Sequence, residues 1–132
     1  MRRALALWGP VAAYAGLLFW LSSRSTLPAF VGNAWDKVLH TGAWTVLTAL
    51  LLRALLGGWS ALRVRPAILA VVLAVGYGVT DEIHQMFVPG RFPSVGDALA
   101  DLAGSLTALA AWWVLARRLR PIIPGSPRRQ ER

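Results

Sequence analysis

The sequence predicts an all-α membrane protein, a bundle of four transmembrane helices with both termini in the cytoplasm. First, the chain of 132 residues is 56% hydrophobic and only 15% charged. Second, four long apolar blocks are each about as long as a bilayer-spanning helix. Third, Lys and Arg lie mainly at the ends of these blocks on one side, as in membrane proteins. A soluble domain of this size would distribute charge through its helices.

The composition also excludes several kinds of site. Because the chain has no cysteine, it contains no disulfide, thiolate metal site or cysteine nucleophile. The net charge of +8 is concentrated at the ends of apolar segments rather than along a solvated face. Membrane topology therefore explains the basic residues better than nucleic-acid binding does.

The first two helices are predicted at about 4–21 and 38–56. The first follows two arginines and contains Gly and Pro, which membrane helices tolerate. It is not interpreted as a cleaved signal peptide, because no small-x-small cleavage site precedes Ser25 and three more apolar segments follow. The second ends at a Gly-Gly pair, which commonly terminates a helix.

The third and fourth helices are predicted at about 67–87 and 97–116. Pro66 suits the first turn of the third helix, and arginines close the fourth. Residues 1–116 thus form one membrane domain. The basic, Pro-rich remainder, 117–132, is predicted to be a disordered cytoplasmic tail.

Orientation follows from counting basic residues near the helix ends. The poorer side has only Arg24, Lys37 and Arg91. The sequence therefore predicts a multi-pass protein of the bacterial inner membrane whose acidic residues, other than Glu131, lie at the extracytoplasmic end. The richer, cytoplasmic side collects Arg2, Arg3, Arg53, Arg63, Arg65 and the six arginines from Arg117 to Arg132.

Acidic residues are concentrated near these outer helix ends, and four of the six lie between Gly78 and Asp101. Such charges are costly in a membrane, by about 2.5–3.5 kcal/mol at a helix centre and less near its end, so a function is the usual reason for them. Spacings of three and four residues place them on single helix faces. The faces are Gly78, Asp81, Glu82 and Gln85 on the third helix, Asp97, Asp101, Gly104, Ser105 and Ala108 on the fourth, and Asp36 and His40 on the second.

These faces predict a polar site. Glu82 or Asp81 is the candidate acid or base, and His40 is a candidate for assisting proton transfer. Arg91 is expected to bind a phosphate or carboxylate. The other predicted binding residues are Gln85, Asp97, Asp101, Asp36, Lys37, His84 and Ser94.

A structural network is the alternative, in which Lys37 and Arg91 neutralise the acids at the helix ends. The acids outnumber the bases, which predicts either a protonated carboxyl or a bound cation. No recognised metal-ligand spacing such as H-x-x-x-H occurs, so a divalent cation held by the acids and His40 is possible but not favoured, and the sequence does not identify a cofactor.

Other residues have simpler interpretations. His84 could hydrogen-bond a lipid headgroup at the interface. Ser94 suits the cap of the fourth helix better than a nucleophile, since no Gly-x-Ser-x-Gly motif surrounds it. Trp112 and Trp113 are interpreted as interfacial belt residues.

Three motifs together cover roughly residues 35–104. They are Asp36-Lys37-x-x-His40, Asp81-Glu82-x-x-Gln85-x-Phe87-x-Pro89-Gly90-Arg91, and Ser94-x-x-Asp97. These motifs resemble those of the VanZ-like membrane proteins, although Asp101 stands where that family often has Asn. The namesake of the family is associated with low-level resistance to the glycopeptide antibiotic teicoplanin, and the resemblance implies no defined activity.

Two functional hypotheses remain open at this point. In the first, the protein binds or acts on a lipid-linked or peptidoglycan-related ligand of the cell envelope, with a link to glycopeptide tolerance by family resemblance. In the second, it is a non-catalytic scaffold or modulator of envelope enzymes, working as a homo-oligomer or with a partner membrane protein. Ion transport is weaker, because the cytoplasmic helix halves contain no acid or histidine.

Overall fold

Four long helices make up most of the described chain. The computed structural model describes residues 1–24, 33–91 and 93–118, with the backbone alone at 33 and 34. These residues contain no strand, and all four helices are long and apolar enough to cross a membrane, which confirms the predicted fold class. The helices are α1 (Arg2–Ser22), α2 (Asn33–Leu55), α3 (Val64–Gln85) and α4 (Val95–Arg118).

The helix bounds differ from the predicted ones by a few residues. α2 begins five residues earlier than predicted, so Asp36 lies in its first turn. Its C-terminus lies at the predicted glycine pair: Gly57 has φ +73°, and the Gly58 N–H donates to the carbonyl of Arg53 (2.9 Å). The predicted tail from 119 onward lies outside the described residues.

The alternation of the helices gives the bundle two chemically distinct ends. The polar end contains the C-termini of α1 and α3 and the N-termini of α2 and α4, where the acidic residues lie. The arginine-rich end contains the opposite termini, with the basic residues Arg2, Arg3, Arg53, Arg63, Arg65, Arg117 and Arg118.

The closest helix pair is α2 with α4, and small residues allow it. A Cβ atom at Gly104 would collide with the backbone of α2 at Thr41 and Thr45, so only glycine permits this approach. Three threonine hydroxyls of α2 then bond across the interface. Thr41 donates to the carbonyl of Ala100 (3.3 Å), Thr45 to that of Gly104 (3.0 Å), and Thr48 to the hydroxyl of Ser105 (3.0 Å).

The core lies towards the arginine-rich end, and Trp112 belongs to it. Its side chain is 3% exposed, its ring stacks on Trp59 with centroids 4.4 Å apart, and its Nε1–H donates to the carbonyl of Ser60 (3.0 Å). The prediction of a belt residue was therefore wrong for Trp112. The connector between α2 and α3 folds back over α4 and supplies the acceptor that lets the indole be buried. Trp113 is 47% exposed, as a belt residue would be.

α1 is the most exposed helix, with only Leu18 and Ser22 buried. Polar groups of its neighbours attach it through backbone carbonyls. Tyr77 of α3 donates its hydroxyl to the carbonyl of Ala15 (2.6 Å), and Arg53 of α2 donates to that of Ala6 (3.1 Å). The looser packing of α1 leaves space beside α2 near the polar end.

Candidate functional site

Acidic and amide side chains from α3 and α4 are buried together at the polar end. The predicted α3 face, Asp81, Glu82 and Gln85, is buried, and so are Asp97 and Asp101 on α4. Asp101 is 1% exposed. The periodicity of three and four residues therefore predicted these faces correctly.

Lys37 joins α2 to the start of α4. Its ammonium donates to a carboxylate oxygen of Asp97, donates to the hydroxyl of Ser94 (3.3 Å), and lies 3.8 Å from Oδ2 of Asp36. A Cβ atom at Gly96 would lie 2.9 Å from Cε of Lys37, so glycine makes room for the lysine stem. Lys37 is thus the basic partner of two acids, as the structural-network alternative predicts.

His40 makes the second link between α2 and α4. Its Nδ1 atom lies 2.9 Å from Oδ1 of Asp101, and its ring stacks on Trp44 with centroids 5.4 Å apart. The other carboxylate oxygen of Asp101 occupies the space that a Cβ atom would need at Gly78. Three helices therefore converge on the carboxylate of Asp101.

Glu82 fixes the polar end of α3 to the start of α4, whereas Gln85 bonds within α3. Oε2 of Glu82 accepts the backbone N–H of Ser94 (2.6 Å), the residue just before α4. The Gln85 amide donates to Oδ2 of Asp81 (2.9 Å). Ser94 is placed where a cap residue would lie, with its hydroxyl accepting the Lys37 ammonium.

Three buried carboxylate oxygens have no hydrogen-bond partner within the described part of the chain. They are Oδ1 of Asp81, Oε1 of Glu82 and Oδ2 of Asp101. A buried carboxylate oxygen requires a donor, a proton or a cation. These oxygens agree with the observation from the sequence that acids outnumber bases at this end of the bundle.

One group of residues has the chemistry to hold a metal ion. Each of Asp36, His40 and Asp97 offers a ligand atom, and these atoms lie within 4.8 Å of one another. The Lys37 ammonium already binds Asp97 and lies near Asp36, where a metal ion would compete with it. Lys37 thus supplies one positive charge to a group that contains two carboxylates.

His84 and Arg91 each hydrogen-bond a residue that directly follows α1. Nε2 of His84 is 3.0 Å from the hydroxyl of Ser23, and its ring packs on Phe19 of α1 with centroids 4.4 Å apart. Arg91, in the turn after α3, donates through Nε to the carbonyl of Arg24 (3.3 Å). Both side chains therefore lie beside the outer end of α1.

A cavity of about 500 Å³ lies between α1, α2 and α3 at the polar end. Most of its lining is apolar and comes from α1 and α2. Several predicted site residues also line it, whereas Glu82, Asp97 and Asp101 do not belong to the lining. The polar members are Ser22, Asp36, His40, Asp81, Gln85 and Arg91.

Sequence reasoning missed the contribution of α1 and the threonines of α2. Tyr14, Leu18 and Ser22 of α1 line the cavity, but after Arg3 α1 carries no charge or polar periodicity that could have indicated this. The threonines did give a signal. Thr41, Thr45 and Thr48 follow one another at spacings of four and three, which is the spacing of a polar face on a membrane helix.

The chain matches a known protein family. No curated protein and no solved structure matches the chain. Residues 6–116 match the sequence model of the VanZ/LLP1 family. That match covers all but the ends of the helical domain and confirms the resemblance drawn from the motifs. The chain is therefore a multi-pass membrane protein that belongs to the VanZ/LLP1 family.

Proposed function

We propose that the protein binds a lipid-linked ligand of the cell envelope in the cavity between α1, α2 and α3. The proposal includes the orientation inferred from the arginines, with the polar end on the extracytoplasmic side of a bacterial inner membrane. The observation that carries it is the shape and chemistry of this cavity, which combines apolar walls with one polar end. A ligand with an apolar tail and a polar head would match both parts.

The cavity walls favour a ligand that arrives from the bilayer. Leu17 of α1 and Val38, Leu39 and Val46 of α2 line the cavity and are also exposed. Exposed apolar side chains on a membrane-spanning helix face lipid. A membrane-embedded tail could therefore enter laterally between α1 and α2 without crossing water.

The polar end favours a headgroup that carries a phosphate. Arg91 lines the cavity, and among the described residues only its Nε atom has a hydrogen-bond partner, the carbonyl of Arg24. The two terminal nitrogens of a guanidinium can bind two phosphate oxygens. A lipid-linked phosphate or pyrophosphate at the membrane surface would bring its charge to this position.

If the ligand also reacts, proton transfer would belong to His40 and Asp81, because both line the cavity. Glu82, the other predicted acid or base, is bonded to the backbone of Ser94 and lies outside the lining. We therefore propose that Glu82 holds α3 against the start of α4. Asp97 and Asp101 support the site from α4, through their contacts with Lys37 and His40 of α2.

The scaffold alternative has less support from the packing. The stripe of small residues on α4 offers no contact surface for a partner, because Gly104 and Ala108 are buried inside the bundle and Gly104 lies against α2. A large side chain on that stripe would disrupt the fold rather than a partner interface. The link to glycopeptide tolerance rests on the family's namesake alone, and ligand binding does not depend on it.

The test compares two lipids that differ only in the phosphate, undecaprenyl phosphate and undecaprenol, by the thermal shift of the purified full-length protein. We expect the phosphate lipid to stabilise the wild type, by about 2.7 kcal/mol at a hundred times its dissociation constant. Arg91→Gln should reduce this shift to that of undecaprenol.

A second pair of variants tests the position of the tail. A Cβ atom would meet nothing within 4 Å at Gly42, which lines the cavity, or at Gly76 of α3, which does not. Gly42→Phe should therefore fill the cavity and abolish both lipid shifts, while Gly76→Phe should bind like the wild type. Unchanged binding by Gly42→Phe would refute the proposed site.

A further inference from the structure

A second apolar depression lies at the opposite end of the bundle, between α3 and α4. Its volume is about 530 Å³, and it is separate from the cavity at the polar end. The walls come from Val64, Ile68 and Val72 on one side and from Leu106 and Leu109 on the other. We call this depression the α3–α4 groove.

The groove has the length of one bilayer leaflet. Arg63 lies at its arginine-rich end, and Val72 lies nine positions further along α3. At 1.5 Å per residue this distance is about 14 Å. The hydrocarbon core of a bilayer is about 30 Å thick, so the groove reaches about to the midplane and ends there. A single acyl chain of the adjacent leaflet has this reach, whereas a transmembrane helix of a partner would extend across both leaflets.

The mouth of the groove is basic. Arg63 belongs to its lining, and the Arg117 guanidinium lies 3.7 Å from the ring centroid of Trp113, which also lines it. Leu62, Trp113 and Arg117 share a smaller cavity of about 100 Å³ beside the mouth. Two guanidinium groups and an exposed indole thus surround the place where a headgroup would lie.

No carboxylate of the described residues lies near this mouth. The acids of residues 1–24, 33–91 and 93–118 are Asp36, Asp81, Glu82, Asp97 and Asp101, all at the polar end. An anionic group from outside these residues would therefore complement Arg63 and Arg117. Basic pockets between transmembrane helices are a recurring way to bind phospholipid headgroups.

We infer that the α3–α4 groove binds an anionic glycerophospholipid, with one acyl chain along Ile68 and Leu109 and the phosphate between Arg63 and Arg117. Trp113 lies at the level of the glycerol ester groups, where indoles are favoured. This site is independent of the ligand proposed for the polar end. It would be occupied from the other leaflet.

The test uses the purified full-length protein, phosphatidylglycerol and phosphatidylcholine with identical acyl chains, and native mass spectrometry of the retained lipid. We expect the wild type to retain phosphatidylglycerol selectively. Each arginine near an anionic lipid contributes about fivefold in affinity, so Arg63→Gln/Arg117→Gln should lose roughly 25-fold. Arg2→Gln/Arg65→Gln removes the same charge at the same end, but neither residue lines the groove or the smaller cavity at its mouth, so this variant should retain the lipid.

Two further substitutions test the acyl chain. Val72 and Leu69 are both exposed on α3, but only Val72 lines the groove. Val72→Trp should reduce retention of phosphatidylglycerol, and Leu69→Trp should not, with the melting temperature of each variant reporting that it is folded. Equal retention of the two lipids by the wild type, or equal loss in the control arginine variant, overturns the inference.

The competing occupant is a second copy of the chain. Because the sequence has no cysteine, Val72→Cys introduces a single thiol. Efficient disulfide formation between copies of Val72→Cys in phosphatidylglycerol vesicles would show that the groove is a protein interface and would overturn lipid binding there. We expect this variant to remain monomeric on oxidation.

Discussion

Nδ1 of His40 on α2 lies 2.9 Å from Oδ1 of Asp101 on α4. Asp101 is 1% exposed, and its other oxygen, packed against Gly78, has no hydrogen-bond partner within the described residues. His40 is therefore the side-chain partner on which this carboxylate depends. The pair lies directly behind the cavity, because His40 also lines it.

We expect His40→Ala to destabilise the protein by about 3–5 kcal/mol, since it leaves a buried carboxylate without its partner. Thermal unfolding in detergent, followed by tryptophan fluorescence, measures this. His84→Ala is the matched control and should cost less, because His84 bonds an exposed serine, Ser23. A double-mutant cycle with Asp101→Ala should give strong coupling, and additive effects would contradict the pairing.

Two substitutions of Glu82 separate the effect of its charge on stability from the effect of its hydrogen bond to Ser94. Glu82→Gln keeps an oxygen that can accept the Ser94 N–H, so its stability should stay within about 1 kcal/mol of the wild type. Glu82→Ala removes the acceptor and should cost about 1–3 kcal/mol. If both variants melt equally early, the carboxylate charge is required and our assignment of a positioning role is wrong.

Gly104 should be intolerant of even one added carbon. Gly104→Ala forces a methyl group into the backbone of α2 at Thr41, and we expect a loss of about 1–3 kcal/mol from overpacking. Gly76→Ala, with no atom within 4 Å of the new methyl group, should instead gain about 0.5–1 kcal/mol from helix propensity. The two melting temperatures should therefore move in opposite directions.

The adjacent residues Trp112 and Trp113 should differ in how much stability is lost when each is replaced by alanine. Trp112→Ala empties a core position and breaks the bond to Ser60, and should cost about 3–5 kcal/mol. Trp113 is 47% exposed and stacks only with Arg117 among the described aromatic and cationic contacts, so Trp113→Ala should cost less than about 1.5 kcal/mol. A large loss for Trp113→Ala would mean that this face is covered by protein.

The sequence predicted those features that depend on helical periodicity. Spacings of three and four residues placed Asp81 with Gln85 and Asp97 with Asp101, because neighbours on a helix face are fixed by its geometry. Hydropathy likewise identified the four spans. These signals depend only on residues that are close in sequence, so they can be recognised without knowing how the helices pack.

Features that depend on packing between distant segments were not predictable. Trp112, unlike Trp113, continues the buried α4 face of Gly104 and Ala108, but its hydrogen-bond acceptor at Ser60 depends on how the connector folds. The cavity depends on the loose packing of α1, which has no polar pattern in sequence. Arg91 lines the cavity, whereas Lys37 links α2 to α4. The sequence could not distinguish these two positions, because they depend on distances between helices.

The pairing of α2 with α4 has a consequence for how the protein is made. Ribosomes deliver α2 to the membrane before α4, so the nascent chain must insert Lys37 and His40 while Asp97 and Asp101 are still untranslated. During that interval the N-terminal half of the protein exposes polar groups that lipid cannot satisfy. We therefore expect chains truncated before residue 95 to be degraded faster in the membrane than the full-length chain.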